Sequence, residues 1–72
     1  MPHSVVLFYS ASGALRAEKL LKGEGIGVKL IPIPRHLGSD CGICLRFDDS
    51  EETRVRKALE EGGVEIMRIC EI

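Results

Sequence analysis

The 72-residue chain sets ten Lys and Arg against eleven Asp and Glu, a formal charge of -1, and holds one Tyr, two Phe and no Trp. So even a balance offers no overall field to a phosphate backbone or an anionic membrane, and so few rings leave no platform for stacking single-stranded bases, which excludes nucleic acid and membrane as expected partners. A chain this short buries only about 60% of the surface that its unfolded form exposes, so one domain over residues 1–72 with an economical core and no deep pocket is expected.

In chain order, residues 5–9 (Val-Val-Leu-Phe-Tyr) form a run apolar at every position, as a strand covered on both faces requires. Ser10 or Ser12 caps the helix that follows, because a hydroxyl there accepts from an orphan backbone N–H. Within residues 11–22, Ala14, Ala17, Leu20 and Leu21 gather on one side, opposite Arg16, Lys19 and Lys22, and Gly23, Gly25 and Gly27 end the helix. Residues 28–33 read as a second strand, placed at a sheet edge by the donor-less Pro32 and stopped by Pro34. A polar connection over residues 35–40 leads to a third strand, residues 42–47, with Ile43, Leu45 and Phe47 on one face. Asp48, Asp49 and Ser50 supply caps for a second helix, whose buried stripe is Val55, Ala58 and Leu59 and whose end is Gly62-Gly63. Residues 64–72 form the last strand.

The order β-α-β-β-α-β folds most simply as an α+β, ferredoxin-like domain, a four-stranded antiparallel sheet with both helices on one face. The third strand then lies between the first and second. The start of the first helix and the connection over residues 34–42 consequently meet at one end of the sheet.

That adjacency gives Cys41 its interest. A thiolate near the N–H groups of Ser12 and Gly13, with Arg35 and His36 in its own loop, has its pKa lowered and its nucleophilic form favoured, whereas Asp40 beside it acts in the other direction. Gly13 clears the approach to the helix start, and Gly42 lets the chain turn sharply beside the sulfur. Cys41 and Cys44 also have the C-x-x-C spacing of dithiol oxidoreductases, but here Cys44 falls inside a strand and is expected to point to an uncovered sheet face, so a disulfide requires the loop to bend back. A zinc site needs four ligands, and only His36 lies near this pair in sequence. Buried apolar packing accounts for Cys70 and is the plain alternative for Cys44. The short apolar run at residues 5–9 is no signal-peptide core, so the expected compartment is the cytoplasm, where an odd count of three cysteines means reduced thiols.

Phe8-Tyr9-Ser10, the helix ending in Glu18-Lys19-Leu20-Leu21, then Ile31-Pro32-Ile33-Pro34-Arg35 and Asp40-Cys41-Gly42 through Leu45-Arg46-Phe47 resemble a family of small bacterial and archaeal domains described as putative selenium or sulfur carriers. The resemblance covers nearly the whole chain. It implies that Cys41 is the carrier cysteine, with Arg35 and Gly42 as its neighbours, and it implies partners among cysteine desulfurases, SirA-like sulfur-relay proteins and selenophosphate synthesis. Cys44 departs from the family pattern, where a small residue is usual.

The expected function is therefore a carrier that holds a persulfide or selenosulfide on Cys41, without cofactor or turnover of its own. The alternatives are a thiol-disulfide protein using Cys41 and Cys44, and a non-catalytic interaction domain, with or without a bound metal. Apolar residues at Val6, Phe8, Ile31 and Ile33 or their alternates supply both sheet faces, which points to a homodimer through the open face.

Overall fold

A computed structural model describes residues 3–37 and 42–72 of the chain. Cys41 and Asp40 lie outside the described residues. The elements are β1 (His3–Leu7), α1 (Ala11–Gly23), β2 (Val28–Pro32), a 3₁₀ turn (Arg35–Leu37), β3 (Ile43–Asp48), a second 3₁₀ turn (Asp49–Glu51), α2 (Glu52–Glu61) and β4 (Arg68–Glu71). The four strands form one antiparallel sheet in the order β2-β3-β1-β4, the arrangement expected of a ferredoxin-like α+β fold.

The core explains why residues 5–8 are all apolar. The central strand β1 sends Val6, with Phe8 just past its end, into the layer under the helices, where they meet Ala14, Ala17, Leu21, Leu45, Phe47, Val55 and Leu59. Its alternate residues Val5 and Leu7 point to the other side and form a second cluster with Cys44, all three without exposed surface. Ser4 faces the helix layer and is fully buried, and its hydroxyl donates to the Asp49 carboxylate, so the one buried polar side chain of the described core is satisfied.

Both helices end in the same way. Gly25 (φ 78°) and Gly63 (φ 69°) adopt the left-handed conformation just past the last turn. The next residue folds back, with Ile26 N donating to Leu21 O at 3.0 Å and Val64 N donating to Leu59 O at 3.0 Å. Each of those residues buries its side chain beside the helix it closes, which is the hydrophobic contact that accompanies this type of cap.

Several expected boundaries move. The first strand is paired over His3–Leu7 rather than residues 5–9, and the third over Ile43–Asp48 rather than 42–47. The largest difference is the last strand, expected over residues 64–72 and found at Arg68–Glu71. Val64 is committed to closing α2, and the chain needs the residues after it to cross back to the sheet, where Met67 N donates to Leu7 O at 2.7 Å. The face without helices is also less open than strand alternation suggests. Leu37 of the first 3₁₀ turn packs with Ile31, Ile33 and Cys70 against Val5, Leu7 and Cys44. This leaves a smaller apolar surface for a homodimer through that face.

Candidate functional site

Register fixes which residues share one end of the sheet. Leu7 lies opposite both Cys44 on β3 and Arg68 on β4, and Ile31 lies opposite Cys44. The last turn of β1, the start of α1, the connection between β2 and β3 and the start of β4 are therefore neighbours. Ile33 N donates to Gly42 O at 3.2 Å, closing that connection at its base. Gly42 has φ 83°, a left-handed conformation that only glycine adopts without strain, and open space surrounds the position of a Cβ. The requirement at Gly42 is therefore conformational rather than steric.

On the helix side, Ser10 is the N-cap. Its backbone is extended (φ -148°, ψ 158°), and its side chain accepts from Gly13 N at 3.3 Å. Ser12 takes no such role, and its Oγ lies 3.1 Å from that of Ser10. A Cβ at Gly13 would stand 3.7 Å from both Phe8 Cδ1 and Ser10 Oγ, an ordinary contact, so glycine is not forced there by crowding. These residues line a shallow depression of about 270 Å³ together with Tyr9, Arg16, Gly63, Val64 and Glu65. Arg16 brings a cation and Glu65 a carboxylate to its rim.

The other expected residues sit on the opposite layer. Arg35 and His36 are exposed in the 3₁₀ turn, whose Leu37 packs on the helix-free face. Arg68 donates from its guanidinium to Leu37 O at 3.2 Å, tying the turn to β4 across the sheet. Among the described residues no hydrogen bond or ion pair links Arg35 or His36 to Ser10, Ser12 or Gly13. The set read as one constellation thus divides into a helix-start group and a loop group flanking the same end of the sheet. Cys41, which was expected between them, lies outside the described residues.

The two other cysteines differ. Cys44 does face the helix-free side, but that face is not uncovered at its position, since Leu37 and the neighbouring strands bury it completely. Cys70 is half-buried on the edge strand β4 rather than packed in the interior, because β4 has no neighbour beyond it. Among the described residues no group of three or more His, Cys, Asp and Glu is placed to hold a metal ion. Among the described residues no helix is long and apolar enough to cross a membrane.

Arg68, Tyr9, Arg16 and Glu65 were not singled out from the sequence. Register places Arg68 beside Leu7, but finding this needs the strand boundary that Val64 obscures. Arg16 lies one turn beyond Ser12 and Gly13 and was legible only as part of a polar helix face.

A family model described as putative Se/S carrier protein-like matches residues 3–71. The chain belongs to that family. No curated protein and no solved structure matches it. The Se/S carrier-like match spans every strand and helix described above, so the family relation holds for the whole sheet and not for a cysteine motif alone.

Proposed function

We propose that this Se/S carrier-like protein accepts a sulfane sulfur or a selenium atom on Cys41 and relays it to a second protein. The step is a transfer between thiols. The Cys41 thiolate attacks the outer chalcogen of a donor persulfide or selenosulfide, a new bond to the Cys41 sulfur forms, and the bond to the donor sulfur breaks, with the donor thiolate leaving on the electron pair. No oxidant or cofactor is consumed. Delivery is the same exchange with an acceptor thiolate.

The observation that carries this reading is the family match over residues 3–71. The closure of the connection at Ile33 and Gly42 supports it, since these two ends of the segment that contains Cys41 lie at the sheet end shared by the α1 N-terminus and Arg68. Backbone N–H groups of α1 and the guanidinium groups of Arg35 and Arg68 are the available positive ends for an anionic persulfide. Donor and acceptor are expected among cysteine desulfurases, SirA-like sulfur-relay proteins and selenophosphate synthesis.

The test is loading with glutathione persulfide followed by cyanolysis, which releases bound sulfane sulfur as thiocyanate. Wild-type protein is expected to release one equivalent, Cys41→Ser none, and Cys44→Ala as much as wild type. Release from Cys41→Ser equal to wild type would sink the assignment.

A further inference from the structure

Charge is not spread evenly over the two sides of the sheet. The three ion pairs among the described residues, Lys22 with Glu18, Arg54 with Glu51 and Arg56 with Glu52, all lie on the helix layer or its leading turn. The helix-free face carries Lys29, Arg46 and Arg68, and none of them is in an ion pair among the described residues. Its strands also present His3, and Asp48 is the one strand carboxylate on this face, Glu71 pairing with the helix-side Ser4; Ser50 holds it, with N and Oγ both donating to Oδ1 at 2.9 and 2.8 Å. Arg35 and His36 extend from the 3₁₀ turn at the upper margin of this face.

One pairing there opposes the stability of the fold. Lys29 and Arg46 stand directly opposite each other on β2 and β3, and like charges in that relation repel across the strands. Among the described residues neither is in an ion pair, although Asp48 lines the same depression. In a chain whose total charge is -1, a face that concentrates unpaired cations around the half-buried Ile31, Ile33 and Cys70 is complementary to an anion.

We infer that the helix-free face docks a carboxylate-rich segment of a partner protein, held by Lys29, Arg46 and Arg68 above the half-buried apolar strip. A protein segment suits it better than nucleic acid. The strands present no aromatic side chain on this face for base stacking, Phe47 lying on the helix side. The segment would lie next to the connection that holds Cys41, but its binding does not depend on sulfur transfer.

The probe is a fluorescein-labelled decaglutamate peptide, read by anisotropy at low salt against the full chain, with a labelled ten-residue polythymidine in parallel. Lys29→Glu is expected to weaken peptide binding by about fivefold or more, the effect of losing roughly 1 kcal/mol. Arg46→Gln is expected to weaken it in the same direction. Lys57→Glu on α2 and Cys41→Ser are expected to leave it within twofold, by the same arithmetic. Because Lys29→Glu replaces a repelling pair with an attracting one, its thermal midpoint should rise while binding falls, which separates lost docking from lost folding. Equal weakening by Lys57→Glu and Lys29→Glu would overturn the assignment, as would tighter binding of polythymidine than of peptide. So would sedimentation showing that the face is closed by a second copy of the chain at the concentrations used.

Discussion

At the residue scale the site end of the sheet depends on Gly42. Its φ of 83° costs an L-residue about 1–2 kcal/mol, and no neighbour stands where a Cβ would go. Gly42→Ala should therefore lower the urea unfolding free energy by about 1–2 kcal/mol, whereas Gly27→Ala, with equal space and no positive φ, should change it by less than about 0.5 kcal/mol. Asp48 makes a different kind of contribution. The hydrogen bonds donated by Ser50, first from its backbone and then from its hydroxyl, lower the Asp48 pKa from the ordinary carboxylate value. A carboxyl lowered on folding stabilises the native state above its unfolded pKa, and that stabilisation disappears as pH falls through the folded value. Wild-type protein should lose more thermal stability than Asp48→Ala between about pH 5 and pH 3, and identical losses in the two would contradict the role of those bonds.

At the element scale the helix ends carry most of the local information. Ser10 is the cap, and replacing it by Ala should cost about 1 kcal/mol, measured by urea denaturation, while Ser12→Ala should cost about half of that or less. The sequence left Ser10 and Ser12 as equal candidates, since both precede the apolar stripe. Only the extended backbone at Ser10 separates them. Gly25 and Gly63 were readable as helix stops, but the fold-back that buries Ile26 and Val64 was not, and for that reason Val64 was assigned to a strand. The apolar run over residues 5–9 signalled a strand buried on both sides, and Val5, Val6, Leu7 and Phe8 are without exposed surface, whereas Tyr9 lies beyond the strand and is 61% exposed. What covers the second side was not legible. Leu37 sits in a segment with no periodicity, and its packing depends on Arg68 from the far end of the chain.

On the scale of the whole molecule, the order β-α-β-β-α-β sufficed to give the sheet order, since few small antiparallel sheets satisfy that succession of elements. It also gave one sheet end to the α1 start and to Ile33 and Gly42, the described ends of the connection after β2. It did not give the division of the expected ligands between the two layers, because strand order fixes neighbours along the sheet and not the side to which a loop leans. That division bears on a carrier: among the described residues, the sheet end shared by the α1 start and Gly42 has the ion-paired helix layer on one side and the unpaired Lys29, Arg46 and Arg68 on the other. Exchange of charge at Lys29 should alter docking and leave loading of Cys41 as it is. The most direct measurement is the intact mass of the protein isolated from its native host without reductant, beside Cys41→Ser prepared in the same way. A fraction heavier by one sulfur or selenium atom, present in the wild type and absent from Cys41→Ser, is the predicted result; an adduct that persists in the variant, or wild-type protein that never carries one, would contradict it.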